Sequence, residues 1–127
     1  MRWWLGWVVA GAAVGGPATE GLLARYAAEG ASAPDAARGR ALWESEHPAP
    51  DGGAARSCVT CHGPRLGDPG RHATTGEVIE PMTAPGRLTD AAKIEKWFGR
   101  NCRWTLQRDC SPGEKADLVA FLTGGAR

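Results

Sequence analysis

Cys58-Val59-Thr60-Cys61-His62 places two thiols three positions apart and an imidazole directly after the second. Thiols at that spacing can add across the two vinyl groups of a haem and tether it covalently, and the histidine is then held under the iron as an axial ligand. Other readings of the pair fit less well. A structural zinc needs a second Cys or His pair at ligand spacing, and Cys102 and Cys110 have seven residues between them. A thioredoxin-like redox pair belongs in a βαβ setting, and no such pattern surrounds Cys58. No second Cys-x-x-Cys-His occurs. The motif therefore implies one haem c, covalently bound through Cys58 and Cys61, with His62 as proximal axial ligand.

What such a haem does depends on the group opposite His62. A methionine or histidine there gives a closed electron carrier, whereas a weak or missing ligand leaves the iron open to small molecules. Met82, between Pro81 and Pro85 in a loop, is the default ligand of an electron-transfer cytochrome, or else a flexible filler packed on the haem edge. His72 lies among polar loop residues and reads as solvated, or as a contact to a haem propionate. His47 precedes Pro48 and reads as exposed. Asn101 falls three, four and seven positions after Phe98, Trp97 and Ile94, which places it on their helical stripe. An amide on a buried face costs a few kcal/mol unless something bonds to it, and iron would be such a partner. The alternative is that Asn101 is only a helix C-cap, and the spacing alone does not separate the two. Trp97, Phe98 and Trp104 are candidates for the pocket wall. Arg65, Arg71, Arg87 and Arg100 are candidates for the propionates.

These residues need elements to hold them, and the pattern is all-α. Asp35 is a candidate N-cap for a helix over about 35–46, in which Gly39, Leu42 and Trp43 share a face. A glycine inside a helix suggests close approach of a neighbour. Pro48 to Gly53 closes that helix with a loop. Residues 63–88, rich in Gly, Pro and Thr, predict a long loop laid over the cofactor. Thr89 is the expected cap of a helix over about 90–101. Ser111-Pro112-Gly113-Glu114 spells a capping box with proline in the first turn. It opens a last helix over about 112–123, striped by Leu118, Phe121 and Leu122 and ended by Gly124-Gly125.

At the N-terminus, Met1-Arg2, the apolar run Trp3–Val14 and the small residues Gly15 to Ala18 form the pattern of a secretory signal peptide. The apolar run is shorter than the ~20 residues of a membrane span. The expected organisation is a signal over 1–18 cleaved after Ala18, with cleavage near Ala13 or an uncleaved anchor as alternatives, then a flexible lead-in over 19–34 in which Leu22, Leu23 and Tyr26 allow a short helical turn, and one domain over 35–127. Export to the periplasm suits covalent haem attachment and permits a disulfide; Cys102 and Cys110 are the two cysteines that the haem does not take. The whole chain of 127 residues carries 15 Lys and Arg against 14 Asp and Glu. That balance lacks the basic excess of a nucleic-acid binder. No acid–base pair stands out beside a distal position, so an oxidase or peroxidase is the weakest reading. A chain this small buries little apolar surface, so the haem is expected to be structural as well as functional.

Gly39 with Trp43, and the run Ala116-Asp117-Leu118-Val119-Ala120-Phe121-Leu122, resemble the crossing N- and C-terminal helices of class I cytochromes c. Lys96-Trp97-Phe98-Gly99-Arg100-Asn101-Cys102, then Cys110, then Glu114-Lys115-Ala116-Asp117-Leu118 resemble more narrowly the SHP (sphaeroides haem protein) family of monohaem cytochromes c. Glu80 to Pro85 and Arg87 to Asp90 are similar to the stretch before that family's ligand helix. The resemblance implies a class I-like helical fold around one covalent haem. It implies Asn101 as the distal axial ligand beside a Cys102–Cys110 disulfide, and Met82 as a non-ligand. It further implies a dihaem cytochrome c as electron donor and a diatomic gas (O2, NO or CO) as ligand of the reduced form.

Overall fold

The computed structural model describes residues 16–125. The signal-like run 1–15 lies outside the described residues, as do 126 and 127. Five helices and one small hairpin make up the described chain: α1 (Pro17–Ala28), α2 (Ala36–Glu44), α3 (Cys58–His62), β1 (Gly70–Arg71), β2 (Val78–Ile79), α4 (Ala91–Leu106) and α5 (Pro112–Ala120). The chain runs on from α5 through a wider turn, Phe121–Gly125, which Gly124 ends at φ 102°. The two strands pair antiparallel, Gly70 with Ile79 and Arg71 with Val78.

Local chemistry accounts for the helix starts. Asp35 accepts from the Arg38 amide at the start of α2, and Asp90 does the same for Lys93 at the start of α4. At α5, Ser111 Oγ accepts from the Glu114 amide while Glu114 Oε1 accepts from the Ser111 amide. Each such cap is worth about 1 kcal/mol. The cap of α4 is therefore Asp90, one residue beyond the expected Thr89, whose hydroxyl turns back to the Gly86 carbonyl.

α2 crosses α5 at Gly39. A Cβ on Gly39 would lie 2.0 Å from the Asp117 carbonyl oxygen and 3.0 Å from Phe121 Cβ, so only glycine lets the two backbones meet. Arg38 and the Asp35 amide both bind the Asp117 carboxylate at the same crossing. Trp43, one turn after Gly39, is buried with Leu118, Phe121, Leu122 and Met82 in one cluster of the core.

Residues 19–34 are not a loose lead-in. Most of the segment is α1, which packs on α5 and α4 and buries Thr19, Leu22 and Tyr26. A second core cluster joins Leu22 and Tyr26 to Ile94, Ala116 and Val119. The Tyr26 hydroxyl donates to Glu95 of α4, and Glu95 also accepts from Lys115 of α5 at 3.1 Å. Burial pushes the Glu95 carboxyl up, but these two bonds, with the positive charges of Lys115 and Arg25, lower it overall from its ordinary value. The expected cleavage point after Ala18 falls inside α1, one residue before the buried Thr19. Pro17 and Glu20 in the first turn suit a helix start, but the partners that fix α1 stand some seventy to ninety positions further on.

Candidate haem site

The attachment motif forms its own short helix. Ser57 caps α3, accepting from the Thr60 amide at 3.2 Å, while Thr60 Oγ1 accepts from the Ser57 amide at 2.9 Å. One helical turn thus separates Cys58 from Cys61 and sets His62 next in line. Cys58 and Cys61 form no disulfide, and both are partly exposed. Burial, with the neighbouring Cys61, pushes the Cys58 thiol up to about 11. Strand β1 lies directly on this turn, since a Cβ on Gly70 would come 2.0 Å from the Cys61 carbonyl oxygen and 2.8 Å from His62 Cα.

His62 is held in its neutral form. Burial, assisted by the positive charge of Arg87, lowers it to about 4, and only the neutral ring has a lone pair for a metal. Its ring lies 4.9 Å from that of Trp43, tilted by 35°. Two cysteines one turn apart, outside any disulfide, and an adjacent neutral imidazole fit the demands of a covalent haem. Among the described residues, no cluster of three or more His, Cys, Asp and Glu side chains converges on a point, so a zinc reading of Cys58 and Cys61 has no ligand set to complete it.

Asn101 stands elsewhere than at a helix end. α4 runs on to Leu106 and closes at Gln107 in the left-handed conformation (φ 60°), so the C-cap alternative does not hold. Nor does Asn101 lie on the face buried by protein. That face is Ile94, Cys102 and Thr105, with Phe98 partly buried beside it. Trp97 is 44% exposed, Asn101 is exposed and Trp104 is partly buried. These three form an adjacent stripe at i, i+4 and i+7. The Asn101 side chain makes no hydrogen bond within the described residues. The Cys102 and Cys110 sulfurs lie at bonding distance with their Cα atoms 5.6 Å apart, a separation suited to a disulfide.

The other candidates scatter. Met82 is buried, 7% exposed, and its Sδ accepts from Arg87 Nη2 at 3.5 Å. His72 sits in the exposed hairpin loop, where its Nδ1 accepts from the Thr74 and Thr75 amides. His47 is partly buried and pairs through Nε2 with Ser45 Oγ at 2.8 Å. Of the four arginines, Arg87 donates to the Glu80 and Pro81 carbonyls. Arg100 lies over the Trp97 ring at 5.4 Å, Arg71 binds the Gly76 carbonyl and Arg65 is exposed.

Comparison with known proteins decides among families. The chain is 44% identical over 120 residues, 91% of each partner, to the cytochrome c-type protein SHP of Cereibacter sphaeroides. The chain belongs to the SHP family of c-type cytochromes. Residues 29–122 also match the family described as a domain of unknown function, DUF1924. A solved structure of oxidised SHP, an oxygen-binding cytochrome c, superposes with a TM-score of 0.72 at 47% identity. It covers 83% of this chain and 95% of that one. Cytochrome c'' of Methylophilus methylotrophus is a second relative, 35% identical over 71% of this chain and 64% of its own. Its oxidised crystal structure superposes with a TM-score of 0.71 at 29% identity, covering 84% and 94%. A solution structure of the same cytochrome, bearing on haem-ligand detachment, gives 0.71 over 86% and 94%. As an SHP-family cytochrome, the chain has a class I-like fold and carries one covalently attached haem c.

Proposed function

We propose that this SHP-family cytochrome is an exported, periplasmic haem protein that accepts an electron from a redox partner and takes up a diatomic ligand on the iron face opposite His62. Asn101 controls access to that face. The observation that carries this reading is the place of Asn101: mid-helix in α4, unpartnered, between two tryptophans and directly before the Cys102–Cys110 pair.

Haem c supplies a redox-active iron with two axial positions. His62 would hold the iron on one side as a neutral imidazole. Asn101 would offer the iron a neutral amide oxygen, a hard and weak donor better matched to Fe(III) than to the softer Fe(II). A donor so poorly matched to Fe(II) would give way when the iron is reduced, and the amide N–H of Asn101 would then be available to donate a hydrogen bond to O2, NO or CO. Cys110, tied to the residue beside Asn101, limits how far the amide swings. A dihaem cytochrome c is the proposed electron donor. An electron shuttle ligated by Met82 has less support, since that sulfur is buried and already receives a bond from Arg87.

Absorption spectra of two variants test the assignment. Asn101→Ala should open ferric iron to water and small anions, whereas Met82→Ala should leave the ferric spectrum essentially as it is. The reverse pattern would transfer the role to Met82.

A further inference from the structure

Arg56 lies outside the haem motif and outside α4, yet it leads into the one and touches the other. It immediately precedes Ser57, the cap of the attachment helix. Its guanidinium lies 4.2 Å from the centroid of the Trp104 ring, and its Nη1 donates to the Trp104 carbonyl at 3.2 Å. That carbonyl is in the last turn of α4, where the helix itself offers no further N–H. The cation also sits at the helix end where the macrodipole is negative.

The backbone of Arg56 is held in turn. Its amide and carbonyl both pair with His47, at 2.8 Å each, closing off the loop 48–55. Gln107, which ends α4, reaches the same loop through the Pro48 carbonyl. Arg56 is thus a fixed arm, and Trp104 is three residues, or one turn, beyond Asn101 on the same side of α4.

We infer that Arg56 is a positioning residue for Asn101: it fixes the last turns of α4 against the haem-attachment segment and so sets how well the Asn101 amide reaches its ligand position. This rests on the reading of Asn101 as the displaceable ligand. A planar guanidinium stacked on an indole and bonded to a carbonyl holds two coordinates at once, the height over the ring and the slide along the helix. An ammonium or a thioether holds one or neither.

The test uses the ferric holoprotein and imidazole, a ligand that competes with Asn101. Arg56→Met should raise the apparent imidazole affinity by about tenfold, on the order of one hydrogen bond to a charged group. Arg56→Lys should fall between wild type and Arg56→Met. Amide hydrogen exchange across 99–106 is followed in the same samples. Faster exchange at the end of α4 with wild-type imidazole affinity would show that Arg56 only stabilises the helix end, and would overturn the inference. If Arg56→Met does not accumulate as holoprotein, Arg56→Lys decides: an increase of about threefold supports the inference and wild-type affinity refutes it. Asn101→Ala separates the two levels. It should bind imidazole more tightly than wild type whatever Arg56 does, and failure of that control would remove the reading of Asn101 instead.

Discussion

Replacing Gly39 by alanine puts the helix crossing to a quantitative test. The new Cβ would stand 2.0 Å from the Asp117 carbonyl oxygen and 2.5 Å from its carbon. Both clashing partners are backbone, so no rotamer change relieves them and α2 must lift from α5 by roughly 1 Å. Overpacking of this kind costs about 3 kcal/mol. Alanine recovers about 1 kcal/mol of helix propensity over glycine. The net loss is about 2 kcal/mol, equivalent to a fall in Tm of about 10 °C for a domain of this size. Thermal unfolding of the holoprotein, followed by circular dichroism at 222 nm, measures it. Gly21→Ala is the matched control. Gly21 is on the exposed side of α1 with nothing within 4 Å of its would-be Cβ, so the same substitution there should raise stability by up to about 1 kcal/mol. If Gly39→Ala melts within about 2 °C of wild type, the close approach is not what the crossing requires.

Two further predictions concern the C-terminal half. Glu114 accepts two bonds from Arg108 and one from the Ser111 amide, and these hold its carboxyl at about 2 against an ordinary 4.5. A carboxyl lowered on folding adds stability that is fully present above its unfolded value and is lost as pH falls towards 2. With Arg108 more than half exposed, Glu114→Gln should cost about 1 kcal/mol at pH 7 and nothing near pH 2, as read by urea titration across pH. For Cys102 and Cys110, alkylation and mass spectrometry of the denatured, unreduced protein should find no free thiol, and two labelled thiols would cancel the pairing. Opening this nine-residue loop by replacing both with serine should cost about 2.5 kcal/mol in denaturant.

The parts of this molecule that could be foreseen are those with a local cause. The turn that carries Cys58, Cys61 and His62 is legible because Ser57 caps it within three residues. α2 and α5 are legible because Asp35 and the Ser111–Glu114 box cap them within three residues. Gly39 was expected to mark a close helix contact, and it meets Asp117. The misses have distant causes. α1 reads in the sequence as no more than a short turn through Leu22, Leu23 and Tyr26, because Tyr26 finds its partners in Glu95 and Lys115, far along the chain. α4 was expected to stop at Asn101, where a polar residue mimics a cap, yet Cys102 and Thr105 carry the buried face on to Leu106. Asn101 was expected on that buried face, and it stands one stripe away, with Trp97 and Trp104. Arg56 carried no signal at all, since Trp104 lies forty-eight positions further on. Its clue, an arginine just ahead of the Ser57 cap, has no meaning without the fold.

The central claim is that Asn101 holds the sixth position only while the iron is oxidised. Absorption spectra recorded through a ferric-to-ferrous titration, followed by addition of CO, test it most directly. The account predicts a six-coordinate low-spin ferric form, a five-coordinate ferrous form, and immediate CO binding on reduction. A ferrous form that stays six-coordinate and ignores CO would contradict it.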